Sequence, residues 1–203
     1  MKKHKFFNIT LIALLSIFCL LIQDTFAGDP LVRTPVDYEG PFYPVTKQLD
    51  IDNNLTEIKG QDGVAKGNIL NLSGIVVNTR GEPLTDITIE IWQTDPQGRY
   101  KHPGDSTPGE RDTNFQYWGA AITDKDGAFT FKTVVPGAYE PRPAHIHYKV
   151  LKDGKVTLTS QIYFMKPSDK TRLPSMTSGI ELQTVDLESD ANGEFEAFFR
   201  IVI

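Results

Sequence analysis

The chain has 203 residues, 39% of them hydrophobic, a formal net charge of −5, four histidines and a single cysteine. No basic run stands out against this acidic balance, which argues against a nucleic-acid partner. Length and composition suit one domain with a sizeable core.

Residues 1–27 read as a secretory signal. Lys2, Lys3 and Lys5 make the positive start, residues 9–22 the apolar stretch, and Thr25-Phe26-Ala27 places small residues where a signal peptidase reads. The apolar stretch falls short of the roughly 20 residues of a membrane span, so a membrane contact follows only if the leader stays uncleaved. Cleavage near Ala27 predicts an exported protein, periplasmic or secreted. It removes Cys19, and with it disulfides, thiolate metal sites and a cysteine nucleophile. It also takes three Lys and one Asp from the charge of −5, leaving −7.

Residues 28–68 are expected to form an irregular N-terminal arm before a domain at 69–203. The arm holds an EGPFYP cluster (39–44), which by itself is a Pro/Gly turn with two anchoring aromatics, and then a polar Gly/Asn/Asp-rich stretch. From residue 69 the texture changes to short alternating runs separated by turns. Residues 69–78 predict a strand, and Ile87, Ile89 and Ile91 then alternate with Thr88, Glu90 and Trp92. A long loop over 95–117 carries Gly98-Arg99-Tyr100 and His102. Residues 118–123 and 128–133 flank DKDG (124–127), a strong hairpin turn.

Residues 135–149, VPGAYEPRPAHIHYK, concentrate the chemistry. Ile146 and Tyr148 alternate with His145 and His147, the pattern of a strand, so both imidazoles share one face and can lean toward one point. Pro136, Pro141 and Pro143 stiffen the loop before it. The bland reading of an H-x-H pair is two polar surface residues. Against it, two of the three histidines beyond the leader fall here, with Tyr139 and Arg142 alongside. Spacing alone assigns neither Tyr100 nor Tyr139 a role other than packing.

The chain then turns at 152–154 into a strand over 156–164, a loop over 167–179, and another strand over 180–187. Residues 190–193 turn into 194–203, where Phe195, Ala197, Phe199, Ile201 and Ile203 share one face. Nothing after Asp29 has a 3.6-residue apolar period. Seven or eight strands predict an all-β fold, a single antiparallel β-sandwich.

GIVVNTRGEPL…IEIWQTDPQGRY, ITDKDGAFTFKTVVPGAYEPRPAHIHYKV and SQIYF together resemble the intradiol ring-cleavage dioxygenases, in particular protocatechuate 3,4-dioxygenase chains and short secreted members of that family. The likeness runs from about Glu39 to Phe164. It implies a non-haem Fe(III) site with Tyr100, Tyr139, His145 and His147 as metal ligands, Tyr139 being the one displaced by substrate. It implies that Arg142 steadies negative charge on the bound ring, that Gln161 is an active-site glutamine, and that Tyr43 lines the pocket. The implied reaction takes a catechol-type diol and O2 to a cis,cis-muconate-type diacid. Phenolate is a hard anionic donor which, with imidazole, suits ferric iron, and a bound cation lets tyrosines ligate as anions.

Two departures bear on substrate and assembly. Only Glu140 and Pro141 separate Tyr139 from Arg142, where protocatechuate enzymes carry a longer insertion with a pocket tryptophan. The helical dimerisation segment of the catechol 1,2-dioxygenase type has no counterpart pattern in residues 28–68, and homo-oligomerisation stays open. Competing readings are a transthyretin-like, non-catalytic binding sandwich, an exported copper or zinc carrier using the H-x-H pair, and His102 replacing Tyr100 as a ligand.

Overall fold

The computed structural model describes residues 29–46, 50–164 and 179–203. The signal expected at 1–27 and all but the last residue of the loop expected at 167–179 lie outside them. Among the described residues nine strands follow in chain order: β1 (Ile69–Val77), β2 (Thr88–Gln93), β3 (Trp118–Ile122), β4 (Ala128–Val134), β5 (His145–Lys152), β6 (Lys155–Phe164), β7 (Thr184–Val185), β8 (Glu188–Ser189) and β9 (Phe195–Val202). They form two sheets, ordered β4-β1-β9-β8 and β3-β2-β5-β6-β7.

The expected all-β sandwich is present, with two differences of detail. β1 pairs with β9 in parallel, as β6 does with β7, so both sheets are mixed. The strand expected over 180–187 is instead a 3-10 turn (Ile180–Leu182) followed by the two-residue strand β7; β8, also two residues, begins only after it. Gly179 at φ 96° opens that turn, and Gln183 closes it by donating its N–H to Ile180 O. The tight turn consumes residues that a period-2 reading assigns to extended chain.

Alternation along the strands sets the core. Leu70, Leu72 and Val76 of β1, Phe129 and Phe131 of β4, and Ala197, Phe199 and Ile201 of β9 face Ile89 and Ile91 of β2, Ile146, Tyr148 and Val150 of β5, and Leu158 and Ile162 of β6 in one cluster. The odd-numbered residues of β5 therefore point to the opposite face, away from that cluster. That face is covered too: His145 and His147 are as buried as Ile146 and Tyr148.

The N-terminal residues supply this cover. They run along the sheet edge through Asp37 N–H to Thr159 O (3.0 Å) and Ser160 Oγ to Pro35 O (2.7 Å). Residues 50–66 contain no named strand yet contribute to the core: Leu55 is fully buried against Gly119 of β3, and its N–H donates to Lys132 O on β4. Leu55→Ala is expected to destabilise the fold by about 2–5 kcal/mol, the usual range for a buried leucine. Urea unfolding measures it, and a change near zero would show that this segment only decorates the sandwich.

Candidate metal centre

Register builds the site from β2, β5 and β6. Trp118, Trp92, His147 and Gln161 lie opposite one another across β3, β2, β5 and β6, and His145 lies opposite Tyr163. Directly paired residues share a face. One surface of the five-stranded sheet thus carries two imidazoles, an amide and a phenol in adjacent rows. A one-residue slip of β5 would send both histidines into the apolar core.

Two loops bring the tyrosines over this surface. Tyr100 lies on the long loop between β2 and β3, and Tyr139 follows β4. The loops touch directly: Gly137 N–H donates to Asp95 O (2.9 Å), and the Thr94 hydroxyl donates to Gly137 O (2.8 Å). Asp95 shapes the first loop, its Oδ1 accepting from Gln97 N–H and Arg99 N–H and its Oδ2 from Arg99 Nε and Tyr117 Oη.

The four polar groups meet. His145 Nε2 stands 3.1 Å from His147 Nε2 and 3.4 Å from Tyr100 Oη. The rings of Tyr100 and Tyr139 meet edge-on at 5.7 Å, and Tyr139 lies 5.6 Å from the His145 ring. His147 is held flat against Trp92, 4.9 Å apart and 8° from parallel. His145 Nδ1 lies 2.6 Å from Pro143 O, which can only accept, so Nδ1 carries the proton and Nε2 presents its lone pair to the centre.

Burial sets the ionisation of these groups in the protein alone. Burial, helped by Arg142, holds His145 down at about 4, and burial, then neighbouring His145 and Arg142, hold His147 well below the usual imidazole value. Burial pushes the Tyr100 phenol well above 10, aided by Tyr139, and raises Tyr139 against the pull of Arg142. Both imidazoles are therefore neutral donors, and both phenols hold their protons until a cation arrives. A bound cation reverses that balance for phenols.

This donor set fits a hard trivalent cation. Nitrogen lone pairs and two oxygens capable of anionic charge converge in a water-poor site, as ferric iron prefers. Among the described residues no group of three or more His, Cys, Asp or Glu could hold a metal. The oxygen groups placed beside the imidazoles are the phenols of Tyr100 and Tyr139. A Cβ added at Gly40 would come within 3.3 Å of His147 Cε1, so the N-terminal segment passes directly over this imidazole.

The remaining expected residues fall around this centre. Arg142 Nη2 donates to Gln161 Oε1 and, at 3.1 Å, to Tyr163 Oη. Tyr43 packs edge-on against Trp92 and donates its hydroxyl to Glu90 (2.6 Å), one ring behind His147. Phe42 is the aromatic of EGPFYP that lies against both tyrosines, 4.9 Å from Tyr100 and 6.5 Å from Tyr139. His102 turns its Nδ1 to the N–H of Gly104 (3.0 Å) and its ring to Phe42, while Tyr100 is the residue that reaches the imidazoles. Tyr163 was not expected from sequence, although its position two residues after Gln161 puts it on the same face.

An open groove of about 680 Å³ lies on the other sheet, lined by residues including Asn71, Lys132, Glu196 and Phe198. It gathers no comparable donor set, so chemistry rather than cavity size locates the site.

Known proteins carry the same architecture. The chain is 32% identical over 143 residues to the protocatechuate 3,4-dioxygenase beta chain of Burkholderia cepacia, covering 66% of this chain and 61% of that one. It is 31% identical over 144 residues to chlorocatechol 1,2-dioxygenase of Cupriavidus pinatubonensis, covering 62% and 52%. It thus spans roughly half to three fifths of these curated relatives. Among solved structures, the dioxygenase domain of a dioxygenase carbohydrate-binding protein fusion from Streptomyces sp. SirexAA-E superposes with a TM-score of 0.64 at 28% identity, covering 85% of this chain and 98% of that one. An intradiol ring-cleavage dioxygenase from Tetranychus urticae shares the fold with a TM-score of 0.65 at 22% identity, covering 85% and 95%. Residues 38–178 match the family model described as Dioxygenase. With its relatives, that match establishes that the chain belongs to the intradiol dioxygenase family.

Proposed function

We propose that this protein is an exported, iron-dependent intradiol dioxygenase that opens the ring of a catechol-type diol with O2, giving a cis,cis-muconate-type diacid. The observation that carries this reading is the convergence of Tyr100, Tyr139, His145 and His147. The leader pattern of residues 1–27 supports export.

These four residues would hold Fe(III). The metal, when bound, supplies a Lewis acid that draws electron density from the diol and readies its ring for dioxygen. The chain provides the rest. Tyr100 is almost fully buried and fixed by the loop that leaves β2, whereas Tyr139 is only half-buried on the loop before β5. Tyr139 is thus the phenol freer to move, and, ionised with the metal bound, its Oη would be the base that takes a substrate hydroxyl proton. Arg142 presents a permanent positive charge beside the ring, with Gln161 Oε1 fixing one of its N–H groups. Phe42 and Trp92 exclude water and line the site with aromatic surface.

A visible spectrum of iron-loaded protein, titrated anaerobically with catechol and with protocatechuate and then aerated, tests this reading. Expected are a broad band from phenolate-to-iron charge transfer, a shift on adding diol, and a ring-opened diacid with oxygen uptake on aeration. A colourless protein with one iron per chain would overturn it. A binding sandwich without catalysis leaves the meeting of two phenols with two imidazoles unexplained.

A further inference from the structure

Arg142 sits on a loop with a long, half-buried side chain, and an arginine that acts on charge must be held in one direction. Its backbone is fixed by mutual hydrogen bonds with Tyr139. Its guanidinium is held by two acceptors, Gln161 Oε1 and Tyr163 Oη. Gln161 is anchored through Nε2 to Tyr38 O at 2.7 Å. The Tyr163 hydroxyl accepts from Arg142 Nη2 and donates to Asp37 Oδ2 at 2.8 Å. Asp37 Oδ2 also accepts from Gln183 Nε2 (3.1 Å), which donates to Ser160 Oγ as well (2.9 Å). Among the described residues no carboxylate forms an ion pair with Arg142.

We propose that Tyr163 and Asp37 are positioning residues for Arg142: a two-step hydrogen-bond chain, from guanidinium to phenol to carboxylate, aims the arginine while leaving its charge for the substrate. The proposal rests on the catalytic reading above. A carboxylate placed directly on Arg142 would neutralise the group that must meet a diol anion. The interposed hydroxyl transmits orientation and keeps the negative charge one residue away, and donor–acceptor chains of this kind reinforce themselves in a buried setting. Asp37 lies in the N-terminal segment that runs along β6, so that segment completes the site rather than merely covering it.

Tyr163→Phe and Asp37→Ala separate positioning from folding when assayed as iron-loaded protein. Each is expected to lower kcat for catechol by about tenfold to a hundredfold, since misplacing a charged group by an ångström has that effect. Bound iron, the visible band and Tm should stay near wild type. Asp37→Asn keeps an oxygen that accepts from Tyr163 and should return kcat to within about threefold of wild type. The double variant should be no slower than the slower single one, because both act through one chain. A Tyr163→Phe protein with wild-type kcat overturns the proposal. So does a fall in kcat matched by an equal loss of iron, or an additive double variant.

A separate measurement keeps this apart from the function itself. In gallium-loaded protein, the Arg142 side-chain nitrogen signals should show slow guanidinium rotation, lost in Tyr163→Phe. Wild-type protein that binds iron but opens no ring defeats the catalytic reading, while these signals still report on the chain. Averaged Arg142 signals in both proteins overturn the positioning role.

Discussion

His147→Ala is expected to reduce iron affinity by at least about a hundredfold and to remove the visible band with it. Losing a residue that only supports a metal ligand costs about ten- to a hundredfold, and in the proposed site His147 is itself a ligand. Its Nε2 lies 3.1 Å from that of His145, and stacking on Trp92 gives the ring no freedom to be replaced by a neighbour. The ring is 3% exposed, so truncation also leaves a void beneath Trp92, worth about 1–3 kcal/mol of stability. The two effects separate cleanly. Metal-free protein, melted beside metal-free wild type, isolates the packing loss, and iron titration followed at the charge-transfer band isolates the ligand loss. A variant that takes up iron with wild-type affinity would show that the imidazole pair does not hold the metal.

Tyr100→Phe is a useful companion because it changes one oxygen and almost no volume. Tyr100 packs on Trp92 and Phe42 surfaces that a phenyl ring fills equally well. Its effect should therefore fall on the metal and spare the fold. The band should weaken rather than vanish, since the proposed site keeps Tyr139 as its second phenolate.

The sequence speaks clearly where chemistry and periodicity coincide within one segment. The alternation of His145 and His147 with Ile146 and Tyr148 forces both imidazoles to one face, and the structure sets them 3.1 Å apart. Ile87, Ile89 and Ile91 declare the core side of β2 in the same way, which leaves Trp92 free to back His147. Pairing between distant segments carries no such mark. Nothing in the local pattern of 195–202 says that β9 runs parallel to β1, because the connection that permits it is not a turn. Short, capped turns mislead in the opposite direction. Ile180, Leu182 and Thr184 alternate like a strand, yet a glycine at positive φ starts a 3-10 turn there.

The site follows the same division. Tyr100 and Tyr139 lie in separate loops, which only the family likeness joins in the sequence, whereas the fold joins them by close approach of the backbone at Gly98 and Gly137. In EGPFYP the choice between Phe42 and Tyr43 depends on which ring faces the centre, and no period exists within a Pro/Gly turn to decide it. The bond from Tyr163 to Asp37 spans 126 positions. Such a partnership follows from sheet register and from the path of the N-terminal segment, neither of which is written locally.

That loop contact predicts a large effect at two positions with no side chain. Gly98 adopts φ +79°, and a Cβ there would lie 2.4 Å from Ala138 O; a Cβ at Gly137 would lie 2.3 Å from Gly98 N and 2.5 Å from Pro96 O. The obstructing atoms are backbone, so no rotamer change relieves the overlap. Left-handed backbone costs a non-glycine residue about 1–2 kcal/mol, and overpacking typically adds about 1–3 kcal/mol. Gly98→Ala should therefore lose about 2–5 kcal/mol in urea unfolding, and Gly137→Ala somewhat less because only the overlap applies. Iron affinity should fall in both, although neither position bears a donor, because relief of the overlap separates the loops that carry Tyr100 and Tyr139. Gly154→Ala supplies the control: it has φ +72° with nothing within 4 Å of the added carbon, so it should lose stability from backbone strain alone and bind iron as wild type does. Because both changes push the same two loops apart, the double variant should lose less than the two single losses combined. Wild-type iron affinity in Gly98→Ala would mean that the tyrosines find the metal without this contact, and that the loops close on the cation rather than in advance of it.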